Sequence, residues 1–169
     1  MKGNNLNYWS KVLTEQGYHC QIFEKSPQTP HRYLNVDLDV DPKGRSRVLE
    51  MRIDSYSLPS AKDGAELIIH LFSPYPFLVK EEAVGEMARL MMFLNKGLDT
   101  PGFGLDESSK LAFFRYGVLT YNGQQSAQLL MAIIGMIRLL MDTFTDQVEA
   151  VAGGVTARDA LSNLVRNLT

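Results

Sequence analysis

Hydrophobic and polar positions recur with two different periods along this chain, and the switches between them lay out its elements. Leu6, Trp9, Val12 and Leu13 fall at helical spacing, with Asn5 placed to cap the start and Gly17 to stop it. A first helix is therefore predicted over about residues 5–16. Four strand-like runs follow, the first being Tyr18–Lys25, closed by Ser26-Pro27. In the second, Arg32–Val40, Leu34, Val36, Leu38 and Val40 alternate with Asn35, Asp37 and Asp39, as in a half-buried strand. Asp41-Pro42-Lys43-Gly44 turns it into a third, Arg47–Tyr56, with Leu49, Met51 and Ile53 inward and Glu50, Arg52 and Asp54 outward. The polar loop Ser57–Gly64 leads to a fourth, Ala65–Phe72, which Pro74 and Pro76 are expected to end.

Helical spacing returns over about Lys80–Asn95, where Val84, Met87, Met91 and Leu94 share a face before Gly97 and Pro101. Phe103–Asp106 and Lys110–Thr120 read as a hairpin joined through Glu107, Ser108 and Ser109. A long helix over roughly Gln124–Ala150 comes next, broken by Gly153-Gly154. Thr156 and Asp159 then stand at capping-box spacing before a last helix near Ala157–Asn167. Consecutive strands with short turns predict an α+β fold, an antiparallel sheet with helices packed on one face, in the order α-β-β-β-β-α-β-β-α-α. At 169 residues this fits a single domain, 1–169.

Composition narrows the function. A net charge of −2 without any run of Lys and Arg argues against a nucleic-acid partner. Cys20 is the only cysteine, so no intramolecular disulfide can form, which suits a reducing compartment. Met1-Lys2-Gly3-Asn4-Asn5 leads into a polar amphipathic segment rather than a signal-peptide core. The most apolar run, Leu129–Met141, is interrupted by Arg138 and falls short of the ~20 residues of a transmembrane helix. A cytoplasmic protein without membrane insertion is expected.

Candidate chemistry yields to local explanations. Asp37-x-Asp39-x-Asp41 resembles the opening of a calcium loop, but Pro42 and Val48 replace its glycine and glutamate, and the aspartates read as a solvated strand face. His19, His31 and His70 lack zinc-ligand spacing. Cys20 shares a face with Tyr18 and Ile22 and reads as a buried structural thiol. Gly102-Phe103-Gly104 and Gly153-Gly154 lack the lysine and hydroxyl residue of a P-loop, and Ser126 lacks the glycines of a nucleophile elbow. No catalytic, cofactor or metal residue is predicted.

The apolar surplus on two helices has no such complete explanation. Leu130, Ile133, Ile134, Ile137 and Leu140 make one face of the long helix, and Leu129, Ala132 and Met136 extend it around the cylinder. Met91-Met92-Phe93 shows a similar excess. A helix covering a sheet needs an apolar stripe only about 100° wide. The remainder is buried either within the same chain or against a second subunit or partner. Met87, Met91, Met92, Leu129 and Met136 are the interaction candidates.

Residues 82–152 carry a pattern in which Asn95 ends a helix within Met-Met-Phe-Leu-Asn-Lys-Gly-Leu. Gly102-Phe103-Gly104-Leu105-Asp106 then opens a hairpin that Lys110-Leu111-Ala112-Phe113-Phe114-Arg115-Tyr116 completes before the apolar helix. This resembles the YbjN-type sensory transduction regulator domains, which share the fold of type III secretion chaperones. The resemblance implies a non-enzymatic, often dimeric protein and fixes no functional residue. The expectation is a homodimeric chaperone-like or regulatory module that binds protein or peptide segments without a cofactor. The alternative is a small-molecule binder or enzyme with a pocket supplied by Tyr116, Arg115 and His70.

Overall fold

Asn5 opens the first helix, α1 (Leu6–Glu15), its side chain accepting a hydrogen bond from the Asn7 N–H at 2.9 Å. Gly17, at φ +91°, supplies the left-handed residue that stops it. The computed structural model describes residues 5–27, 29–56, 66–120 and 126–168, and the side chains of all these except 55, 56, 66 and 163–168. After α1 come β1 (Cys20–Phe23), β2 (Tyr33–Val40), β3 (Ser46–Tyr56), β4 (Glu66–Leu78), α2 (Val84–Gly97), β5 (Phe103–Asp106), β6 (Leu111–Thr120), α3 (Ala127–Ala152) and α4 (Ala157–Leu168). The strands form one antiparallel six-stranded sheet in the order β1-β2-β3-β4-β6-β5, so the α+β class read from the sequence holds. The loop predicted at Ser57–Gly64 lies outside the described residues.

Contacts group the chain into two units. The first comprises Met1–Asp39, Ser46–Ser73 and Tyr116–Met136. Its buried residues include Trp9 and Leu13 of α1, Leu34, Val36 and Leu38 of β2, Leu49 and Met51 of β3, and Ile69 and Leu71 of β4. The register pairs Ile53 with Ile69 and Met51 with Leu71, which keeps the apolar alternation of both strands on one face. The second unit comprises Val40–Arg45, Pro74–Arg115 and Ile137–Thr169. Its core holds Tyr75, Met87, Leu90, Leu94, Phe114, Met141 and Val148.

Three local readings of the sequence are corrected. β4 does not stop at Pro74 and Pro76 but continues to Leu78. Two prolines two residues apart remove donors from the same edge of a strand and leave the other edge intact. On that other edge, the Val79 N–H donates to the Lys110 carbonyl at 2.9 Å. The alternation of β2 fails at its end, where Val40 is 53% exposed and Asp41 only 3%. Asp39 sits at φ +52°, which breaks the strand's parity, so Val40 faces out and Asp41 turns in. Cys20 is half-buried rather than buried.

By length and composition α3 could cross a membrane, a capacity that the run Leu129–Met141 alone understates, and 22% of its most apolar window is buried. Leu130, Ile134, Ile137 and Met141 are fully buried, whereas Leu129 and Leu139 are 51% and 65% exposed.

Candidate functional site: an apolar cleft between α2 and α4

Polar brackets hold the ends of the helices that build the cleft. The Asn95 carboxamide oxygen accepts from the Gly102 and Phe103 N–H groups, both at 3.0 Å, and its nitrogen donates to the Phe103 carbonyl at 2.8 Å. One side chain thereby satisfies three backbone groups where the helix gives way to the hairpin. Close approach of backbone requires glycine at Gly102, and at Gly104 a side chain would have to displace the Phe113 ring. A Cβ at Gly102 would stand 2.4 Å from the Arg115 carbonyl oxygen, and one at Gly104 would stand 2.5 Å from the Phe113 ring. Phe103 packs edge-on against Phe114 and Phe144, with ring centroids 4.9 and 5.6 Å apart.

α4 begins with the capping pair that its spacing suggests. The Asp159 N–H donates to Thr156 Oγ1 at 3.2 Å, and that hydroxyl donates to the Asp159 carboxylate at 2.8 Å. The Ala157 N–H donates to Glu86 Oε2 of α2 at 2.9 Å, placing a carboxylate on the helix N-terminus. Arg89 pairs with the other oxygen of Glu86. These contacts tie α4 to α2 beside an open cleft of about 410 Å³, lined by Arg89, Phe93, Ala157, Arg158, Leu161 and Ser162. Next to it Met92 is 76% and Phe93 58% exposed, two large apolar side chains side by side.

The five interaction candidates separate sharply. Met87 and Met91 are 0% and 4% exposed and belong to the core, so they offer no surface, because their position on α2 faces inward with Leu90 and Leu94. Met92 and Leu129 are exposed, and Met136 is half-buried. Arg89, Arg158 and Leu161 escaped the sequence reading. Nothing in a single sequence says which exposed arginine will stand beside an apolar side chain from a helix some seventy residues away.

The polar candidates occupy structural places. Asp41 Oδ1 accepts from the Lys43 and Arg45 N–H groups, both at 2.9 Å, and Oδ2 accepts from Arg45 Nε at 2.7 Å. Burial alone would raise its carboxyl, but these bonds hold it below the usual range. Arg45 then forks onto Glu149 at 2.9 and 3.0 Å, which with Lys43 lowers the Glu149 carboxyl. Asp41 is thus a turn anchor rather than part of a solvated face, and among the described residues no acidic, histidine or cysteine cluster could hold a metal. His19 pairs with Asp37 at 2.9 Å on the surface. His70 lies on the half-exposed face of β4, 3.2 Å from Asp54, and burial followed by the Arg52 charge lowers its pKa. Burial pushes the Cys20 thiol up. Protein-family models and characterised proteins give no match to this chain.

Proposed function

We propose that this chain is a non-catalytic, homodimeric protein-binding module of the YbjN-like, secretion-chaperone-like type, which takes an apolar segment of a partner protein into the α2/α4 cleft. The observation that carries this reading is the exposure of Met92 and Phe93 beside a cleft with an apolar floor. Its volume is within the ~300–1,000 Å³ range of ligand sites, but it is open, and its lining residues include no carboxylate, histidine or cysteine. A few anchor side chains seated in such a groove supply most of the energy of a protein contact. Arg158 among the lining residues favours an acidic residue flanking the bound apolar anchors, whereas Arg89 is already paired with Glu86. The cytoplasm is the compartment that a lone cysteine fits best.

Selection from a displayed peptide library with the full chain tests this. Enriched peptides are expected to carry large apolar residues at helical spacing with acidic neighbours. Phe93→Ser should weaken them more than about tenfold at an unchanged melting temperature. No enrichment, or peptides indifferent to Phe93→Ser, would reject the reading.

A further inference from the structure

α3 carries a second apolar feature that neither core takes up. Leu129, Ala132, Met136 and Leu139 follow one another at spacings of three, four and three residues, the a/d rhythm of a helix–helix seam. Their mutual placement is internal to one uninterrupted helix. Leu129 and Leu139 are more than half exposed, Ala132 is exposed and Met136 half-buried. From residue 127 to 137 the helix has no charged side chain, so nothing on this side resists burial.

We infer that this face pairs with the same face of a second copy, α3 against α3 in antiparallel sense about a twofold axis near residue 134. The inference rests on the homodimeric part of the proposed function and assigns its interface. In antiparallel seams each a position packs against a d position of the mate. A twofold at 134 sets Leu129 against Leu139 of the second copy, and small Ala132 against long Met136. Gly135 then faces its own symmetry mate, where the absence of a side chain lets the helices close, and Gln128 faces Asp142, an amide donor opposite a carboxylate. A parallel pairing would set Ala132 against Ala132 and leave a hole. The match of a small side chain to a long one at Ala132 and Met136 belongs to the antiparallel arrangement.

A lipid surface is the competing occupant of an apolar helix, and the flanks argue against it. The charged positions of α3 are Asp142, Asp146 and Glu149 against a single basic residue, Arg138, which pairs with Asp142, so the helix offers anionic headgroups no excess of positive charge. A seam of about three turns is small beside the ~1,200 Å² of a stable interface, so a weak, concentration-dependent dimer is expected.

Sedimentation equilibrium of the full chain reads this directly. A concentration-dependent dimer is expected, and Leu139→Glu should raise its dissociation constant more than about tenfold, because the twofold introduces each substitution twice. Leu139 is exposed, so the variant should melt at the parent temperature. In a Cys20→Ala background, oxidation of Leu129→Cys/Leu139→Cys should give a covalent dimer that neither single cysteine gives. A monomer at every concentration, a dimer indifferent to Leu139→Glu, or cross-linking by Ala132→Cys alone would overturn the assignment. Monomers that bind vesicles of phosphatidylcholine and phosphatidylglycerol through Leu139 would overturn it too. Retained peptide binding by a monomer would remove the seam and leave the α2/α4 cleft standing.

Discussion

α2 and α3 look alike as sequences and behave differently as structures. Both carry more large apolar residues than one buried stripe needs. In α2 two of the three methionines, Met87 and Met91, lie in the core and only Met92, with Phe93, is left outside. In α3 the buried line Leu130, Ile134, Ile137 and Met141 leaves Leu129 and Leu139 in the open on another face. An excess of apolar residues therefore says that a second surface exists. The angle around the helix says which residues form it.

Substitutions within α2 should break this symmetry most strongly. Met87→Ala should destabilise the fold by about 3 kcal/mol, through lost burial and the cavity left behind. Met92→Ala, five residues on, should stay within about 0.5 kcal/mol. Chemical denaturation of both variants checks the contrast, and similar losses would contradict the assigned faces.

The anchor at the C-terminal end of α2 and the one on α3 differ in kind, one neutral and one ionic. Asn95→Ala strands three backbone groups of Gly102 and Phe103 at the start of β5 and should cost about 2 kcal/mol with little dependence on pH. Arg45→Met releases Glu149 of α3 and leaves buried Asp41 short of a partner, at a cost of about 1–2 kcal/mol after solvent screening. The two carboxyls are lowered in the fold, so this contribution is complete above their unfolded values of about 4. It fades as the pH falls through the lower folded-state values. Melting both variants across pH distinguishes the neutral anchor from the ionic one.

The smallest effect has the opposite sign. Glu50 faces Phe72 across β3 and β4, and burial raises its carboxyl. An acid raised by folding destabilises the fold where it is ionised, so Glu50→Gln should add a few tenths of a kcal/mol at neutral pH. The gain should vanish once the pH drops below about 4, where both states are protonated. A melting temperature that does not rise at neutral pH would show that Glu50 is solvated well enough to carry its charge.

Much of this architecture follows from the chain alone. The periods of two and of three to four residues, with Asn5, Gly17 and Thr156 as punctuation, determine the order of the four α-helices and six strands found among the described residues, because backbone geometry couples each residue to its near neighbours. Pro74 and Pro76 misled because a strand edge can spare two donors on one side, which depends on its neighbours rather than on the proline. Asp39 inverted the end of β2 through one dihedral angle that an aspartate tolerates but does not require. The cleft was hidden for a related reason. Arg89 and Phe93 meet Ala157, Arg158 and Leu161 where Glu86 binds the start of α4, a contact between segments 71 residues apart. The sequence by itself determined that apolar surface exceeds what one stripe can bury. Only the tertiary structure decided which side chains are left to form it, since burial is a property of contacts made between segments distant along the chain.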